Sequence, residues 1–503
     1  MLASIPSAIV LGVDGHAVTV EVHIGLGLPG LTIVGLPDAA CREARDRVRA
    51  AVMASGVSWP VQKITINLAP SGTRKMGSGL DLAMAMGVLV ANGDLTQEQV
   101  QGLGFLGELG LDGTVRSVPG IVPLVDAVEC SSVVVPVAAA PDALLVEGPV
   151  VRPVQTLKEL YLVLRGDESW VDHDIARLHV SPEAPLDLAD VRGQPVVRRA
   201  LEVAAAGGHH LLMVGPPGAG KTMLASRMPG LLPDLGRSEA MEATRVHSAA
   251  GLSLRGGLVA RPPFRAPHHT ATMVALVGGG TEAMRPGEVS LAHGGVLFLD
   301  ELAEFAPAVL DALRQPLEEG VIRVSRARFT ARLPARVLLV AAMNPCPCGE
   351  AGRPGACRCP EGLLARYRRR LSGPLLDRFD LRIDVLRPEV DELLGGELGE
   401  RTATVAVRVA AARDRAILRG VRANAELAGP DLDRWAPLAP DARDLLATVL
   451  RAGRLSARGL ARVRRVALTL GDLSDHEGPL TAGQVGTALQ LRADVSGVQG
   501  LAA

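Results

Sequence analysis

Apolar and polar residues change rhythm along the chain, and each rhythm predicts a different element. Ala17 to Ile24 partly alternates apolar with polar positions, the pattern of a half-buried strand. The apolar stretch Leu28 to Pro37 follows, and Asp38 is placed to cap a helix over about Ala39 to Ser55. Ile64 to Leu68 reads as another strand, Leu80 to Asn92 as an apolar helix, Gly104 to Val118 as strand and turn, and Val133 to Pro136 as a short buried strand. Ser181-Pro182 and Ala184-Pro185 interrupt regular structure within a linker over 166–188. Apolar runs then recur at Leu211 to Val214, Gly295 to Leu299 and Val337 to Met343, with a closing strand over Asp380 to Val385. A helix from about Ala306 to Glu319 ends at Gly320, a residue suited to the left-handed turn that stops helices. Val321 to Pro334 reads as a hairpin, and beyond about 388 the pattern is helical, over Arg401 to Gly420, Pro440 to Ala452 and Ser456 to Gly471. The expected organisation is α/β and multidomain: a β-rich α+β region over 1–165, the linker, a core with a parallel sheet over 189–388 and a helical region over 389–503.

One stretch carries unmistakable chemistry. Gly215, Pro216, Pro217, Gly218, Ala219, Gly220, Lys221 and Thr222 spell G-x-x-x-x-G-K-[ST], with a strand before them and a helix-compatible run, Met223 to Met228, after. The glycines permit backbone angles that turn successive N–H groups inward around phosphate oxygens, and the helix adds its positive end. Lys221 is expected to reach the β- and γ-phosphates of ATP and Thr222 to hold Mg²⁺. Downstream, the apolar run from Gly295 ends in Asp300 and Glu301. Adjacent carboxylates at the end of a buried strand call for a use, because unpaired buried charge is expensive. Asp300 suits Mg²⁺, and Glu301 suits a base that orients and deprotonates water. Together the two motifs predict an ATPase.

Composition narrows the partners. The 503 residues are 48% hydrophobic and 21% charged, which is globular. The net charge of −1 provides no global field for nucleic acid, and aromatics at 2% are too few for a base-stacking platform. Local basic surface remains: Arg323, Arg326, Arg328 and Arg332 lie on or near the expected hairpin, and Arg366 to Arg370 form a dense run. Such arginines suit phosphate contact along DNA somewhat better than the alternative, an edge hairpin blunted by charge. No apolar run approaches the roughly 18–20 residues needed to span a membrane, and the N-terminus lacks a secretory pattern, so a cytoplasmic location without membrane contact is expected. Cys41 and Cys130 are isolated. Cys346, Cys348, Cys357 and Cys359 form C-x-C-x₈-C-x-C, which suits a structural Zn²⁺ although its one-residue spacers are tight; unligated thiols and a redox-sensitive disulfide are the alternatives. His268-His269 suggest a metal less than a structural, interface or pore-loop role, since neighbouring side chains on a regular element point apart.

Two resemblances complete the reading. Arg74-Lys-Met-Gly-Ser-Gly-Leu-Asp81 and Leu106-Gly-Glu-Leu-Gly-Leu-Asp-Gly-Thr-Val-Arg116 resemble the proteolytic domain of Lon proteases, which implies a ribosomal-S5-domain-2-like α+β fold. Proteolysis is not implied: the nucleophilic serine aligns with Gly79 and its lysine near Leu124, and Ser78 is one residue off. Further on, Phe264-Arg-Ala-Pro-His-His, Pro286-Gly-Glu-Val-Ser-Leu-Ala-His, Asn344-Pro-Cys-Pro-Cys-Gly, Gly373-Pro-Leu-Leu-Asp-Arg-Phe-Asp and Leu455-Ser-Ala-Arg-Gly resemble the YifB/ComM family of magnesium-chelatase-like AAA+ ATPases. The likeness covers nearly the whole chain; Phe379 departs from it, where isoleucine is common. Asp190-Val-Arg-Gly-Gln194 is similar to the short box that lies beside the adenine in AAA+ ATPases and equally suits a simple helix entry; the resemblance implies that Asn344 senses the γ-phosphate and that Arg458, on a C-terminal helical lid, reaches it in cis. It implies that Arg378 acts as an arginine finger on a neighbouring subunit, and that the hairpin lines the pore of a homo-hexamer. In the ComM branch it implies branch migration of DNA junctions during integration of transforming DNA. The alternative is a chelatase-type remodelling ATPase acting on a protein or in metal insertion.

Overall fold

The computed structural model describes residues 2–72, 74–175, 186–280, 284–326, 329–351, 356–395 and 398–492. Among the described residues, its N-terminal region combines a four-stranded sheet, a smaller three-stranded parallel sheet and a two-stranded ribbon with five α-helices, which include Ala39–Ala54, Asp81–Asn92 and Ile121–Ala127. Leu2–Leu11 and Asp14–Gly25 form a hairpin, with Leu11 paired to Asp14 across a turn at Gly12. Lys63–Ala69 pairs on the far side of Asp14–Gly25, and Gly30–Val34 runs parallel to it at the edge. Val18, Val20, Val22 and Ile24 all point into the core, as period-two alternation requires. Asp38 caps the helix Ala39–Ala54 by accepting the N–H of Cys41 at 2.8 Å, and its second oxygen accepts the N–H of Gly77 at 3.0 Å. One carboxylate thus fixes both the helix and the segment leading to Asp81–Asn92, which is apolar all round and buried on every side.

The central region is a parallel sheet of five strands in the order Phe264–Arg265, Val296–Leu299, Leu338–Met343, Leu211–Val214, Leu381–Asp384. Its three middle strands are buried throughout, which is why they read as unbroken apolar runs. Two expected helices are shorter than the pattern suggested. The helix after the phosphate loop covers Lys221–Ala225 and gives way to a tighter turn at Met228–Leu231, where Pro229 has no N–H to continue it. The stretch after Glu301 splits into Pro307–Ala312 and Arg314–Glu319, because Pro316 cannot donate back across the break. Gly320 ends the second helix at φ 66°. The hairpin is present as Val321–Arg326 paired with Phe329–Pro334.

The C-terminal region is helical, built on Thr402–Leu418, Pro440–Arg451, Ala457–Leu473 and Ala482–Gln490, and it packs on Pro195–Gly207 of the core. The N-terminal region docks on the segment between the two nucleotide motifs. Gly120 N–H donates to Ser248 O at 2.8 Å, Val122 N–H to Ser248 Oγ at 3.2 Å, and Arg245 pairs with Asp126 at 2.7 Å. Its Gly12 turn also sits against the hairpin: a methyl on Gly12 would lie 3.0 Å from Ala331 Cβ. No helix among the described residues is long and apolar enough to cross a membrane.

Candidate nucleotide site

The phosphate loop lies at the carboxyl end of its strand, the end where open parallel sheets bind ligands. Gly218 and Gly220 have φ of 77° and 83°, which leaves the loop backbone free to face inward. A methyl on Gly215 would fall 2.2 Å from Val385 O, so the loop runs tight against the closing strand. Lys221 is buried, and its ammonium donates to Gly215 O at 2.7 Å, Pro216 O at 3.0 Å and Asn344 Oδ1 at 3.2 Å. Burial pushes its pKa down, while Asp300 and Glu301 oppose the shift. Thr222 Oγ1 donates to Asp300 Oδ2 at 2.6 Å. That pair sets a hydroxyl and a carboxylate side by side, a donor set that fits Mg²⁺. The glycine cradle, the caged ammonium and this oxygen pair fit a bound Mg·ATP.

Glu301 sits in the left-handed region at φ 50°, a strained stance for a non-glycine residue and one found at functional sites. Its carboxylate lies 2.8 Å from His269 Nδ1. Here the sequence reading needs correction: His268 and His269 do not point apart but have ring centroids 4.1 Å apart at 34°, because they lie on irregular backbone. Phe264 pairs with Val296 and Arg265 with Leu297, and the irregular segment that follows this short strand carries His269 to Glu301. A two-residue strand leaves no periodic signal, so the pairing was invisible in the sequence.

Other expected site residues are placed as follows. Asn344 reaches Lys221, and its own peptide oxygen accepts the hydroxyl of Tyr367 at 3.0 Å, a support that sequence reasoning missed. Arg378 pairs with Glu318 at 2.7 Å, and its side chain is 19% exposed. Arg458 is exposed in the first turn of Ala457–Leu473. Arg323 lies directly opposite Arg332 across the hairpin, and both are exposed; Arg323 also approaches Glu319 at 3.5 Å. Arg326 is described only as part of its strand, and Arg328 lies outside the described residues. From the basic run, Arg370 pairs with Glu304 at 2.7 Å. Gln194 has φ 58° and donates to Leu386 O, which ties the Asp190 to Gln194 segment to the end of the closing strand.

The four clustered cysteines converge. Their sulfurs lie within 4.8 Å of one another, with Cys346–Cys348 at 3.3 Å, Cys346–Cys357 at 3.8 Å and Cys348–Cys357 at 3.7 Å. Thiolates around a tetrahedral Zn²⁺ at ~2.3 Å stand about 3.8 Å apart, so the donor set fits that ion. The knuckle abuts the phosphate loop: a methyl on Gly349 would lie 2.4 Å from Pro217 Cδ, and Arg387 bridges Glu350 (3.1 Å) to Pro217 O (3.3 Å). In the N-terminal region, Ser78 donates to the carboxylate of Glu108, Leu124 is buried, and Lys75 is wholly buried with its ammonium on Pro70 O.

Comparison with known proteins agrees with this geometry. Residues 187–393 match the family model described as magnesium chelatase, subunit ChlI, and 20–139 and 399–492 match those for subunit ChlI of Mg-chelatase and its C-terminal part. The protein YifB of Escherichia coli is 43% identical over 96% of this chain and 95% of its own. The competence protein ComM of Haemophilus influenzae is 42% identical over 95% of this chain and 94% of its own. A probable DNA helicase of the MCM type from Arabidopsis thaliana is 28% identical over 40% of this chain and 21% of its own. These matches imply an ATPase that uses ATP and Mg²⁺, and the chain belongs to the YifB/ComM family of magnesium-chelatase-like AAA+ ATPases.

Proposed function

We propose that this protein is an ATP-driven motor, assembled as a homo-hexameric ring, that migrates branches in DNA recombination junctions. Bound Mg·ATP supplies the scissile γ-phosphoryl group and the charge that the metal neutralises. Lys221 binds the phosphates, Thr222 and Asp300 hold the metal, Glu301 takes the proton of the attacking water, and Asn344 orients the γ-phosphate. Arg458 contributes from the helical lid and Arg378 from the neighbouring subunit. The N-terminal region, of ribosomal-S5-domain-2-like fold, serves as a docking domain without peptidase chemistry, and the four cysteines hold a structural Zn²⁺.

The observation that carries the DNA reading is the hairpin. Arg323 and Arg332 are a direct cross-strand pair with both side chains exposed. Like charges placed opposite each other weaken a hairpin, and Glu319, 3.5 Å from Arg323, offsets only one of the two, so the arrangement makes sense when a polyanion lies against it. The partial likeness to an MCM-type helicase supports the same reading. The test is the ATPase rate of the assembled ring with and without four-way-junction DNA. Stimulation by DNA supports the motor; an active ring indifferent to every DNA structure refutes it and leaves a remodelling ATPase. For zinc, protein purified without chelator is expected to contain about one Zn²⁺ per chain, lost in a Cys346→Ser/Cys357→Ser variant. Metal-free protein with the same phosphate-loop affinity would overturn that assignment.

A further inference from the structure

Two residues beyond Arg378, Asp380 is buried with its side chain 8% exposed. Burial opposes its ionisation, yet His209, Arg462 and His210 together hold it well below the usual carboxylate range. His209 Nδ1 lies 3.3 Å from one carboxylate oxygen and Arg462 Nη1 2.7 Å from the other. The same Nη1 of Arg462 also donates to the peptide oxygen of Arg378 at 3.0 Å. A second lid arginine, Arg492, donates to the peptide oxygens of Phe379 and Asp380. From the core side, the N–H groups of Asp380 and Leu381 both donate to His210 O at 3.0 Å, at the amino end of the phosphate-loop strand. Phe379 between them is fully buried. The backbone that presents Arg378 is therefore pinned on one side by the core and on the other by the lid.

The guanidinium of Arg378 is held far less firmly. Its side chain is 19% exposed, it pairs with Glu318, whose side chain is 63% exposed, and its buried Nε has no hydrogen-bond partner among the described residues. Arg462 lies one turn beyond Arg458 on the same lid helix. His209 extends the network into that helix through Thr469 Oγ1 at 2.9 Å, and Asn424 links Thr469 to Asp472, which Arg419 grips with both terminal nitrogens. A buried ion pair of this kind is a poor source of net stability compared with apolar packing, and its use lies in fixing one geometry.

We propose that Arg462, through Asp380 and the Arg378 peptide oxygen, is a positioning residue for the arginine finger, so that the lid helix sets the stance of a group acting on the neighbouring subunit. The proposal rests on the reading of Arg378 as a finger in trans. It implies that losing Arg462 leaves a subunit able to bind ATP and to hydrolyse it when a neighbour supplies a sound finger, but unable to serve the next site.

The test uses full-length rings of Arg462→Lys, Arg462→Met and Arg378→Ala, each alone and mixed with excess Glu301→Gln subunits. The Glu301→Gln subunits carry a sound finger beside a dead site. Arg462→Lys keeps the charge that Asp380 faces but is a bond shorter, so it carries the test if Arg462→Met does not fold. Expected for Arg462→Lys alone is nucleotide affinity within about twofold of wild type and hydrolysis down at least about tenfold, since small misplacements of an active-site group cost factors of this order. Addition of Glu301→Gln subunits is expected to restore hydrolysis to both Arg462→Lys and Arg378→Ala. Unchanged hydrolysis in pure Arg462→Lys rings overturns the proposal. So does a loss that mixing repairs for Arg378→Ala but not for Arg462→Lys, which would mark Arg462 as merely structural. If mixing fails to repair Arg378→Ala itself, the finger reading fails and the proposal falls with it.

Discussion

A single methyl group at Gly349 probes whether the cysteine knuckle supports the phosphate loop. Gly349 has φ 79°, and a Cβ there would meet Pro217 Cδ at 2.4 Å and Cγ at 2.8 Å. Alanine in the left-handed region costs about 1–2 kcal/mol, and forcing a methyl into a packed contact about 1–3 kcal/mol more. The total of roughly 2–5 kcal/mol is relieved by displacing the knuckle, the phosphate loop or both. If the loop takes about half, nucleotide affinity falls about five- to seventyfold. Titration of a fluorescent ADP analogue into Gly349→Ala measures this. A second variant, Gly349→Ala/Pro217→Ala, removes the Cγ and Cδ atoms of the clash and is expected to recover part of the loss, a coupling between neighbours in contact. Affinity within about twofold of wild type, or a loss that Pro217→Ala leaves untouched, refutes the idea that the knuckle braces the loop.

Other expectations follow from specific contacts. His269→Ala frees the Glu301 carboxylate and is expected to raise the DNA-independent ATPase rate; the pair is partly exposed and worth up to about 1 kcal/mol, so the rise is bounded at about fivefold. A drop in that rate would instead make His269 a supporter of the base. Arg323→Ala/Arg332→Ala is expected to weaken single-stranded DNA binding and flatten its dependence of log K on log salt by about 1.4, with nucleotide affinity unchanged. Asp380→Asn, by breaking a buried pair, is expected to cost about 3–5 kcal/mol of stability at neutral pH in urea unfolding. Because the folded-state pKa of Asp380 is depressed, its contribution is complete above the unfolded value of about 3.9 and is lost as pH falls through the folded value. The gap between wild type and Asp380→Asn therefore narrows in acid, and a gap independent of pH would contradict the assignment.

The parts of the site that were legible in the sequence are those fixed by local chain geometry. The phosphate loop needs its glycines and lysine at set spacings, and the acids follow an apolar strand directly, so both motifs lie in one dimension. The strands flanking them were legible because full burial on both faces leaves continuous apolar runs. Contacts made by folding were not. His269 reaches Glu301 from irregular backbone after a strand of two residues, Tyr367 supports Asn344 from a helix 23 residues away, and Arg462 meets Asp380 across 82. Leu2–Leu11, with Pro6 in its middle, did not read as a strand; it pairs on one side with Asp14–Gly25, and Pro6 lies at the outer edge of the sheet, where a missing donor is tolerated. The helix Leu157–Arg165 carried a legible signal that passed unread: Thr156 and Glu159 form a reciprocal capping box.

The central claim, that hydrolysis at this site moves DNA through a ring, is tested most directly by branch migration of a synthetic four-way junction into duplex products. Wild-type protein with Mg·ATP is predicted to convert the junction, while Glu301→Gln binds the same nucleotide and DNA and leaves it intact. Contradiction would be an assembled wild-type ring that hydrolyses ATP yet converts no junction, or conversion by Glu301→Gln at the wild-type rate.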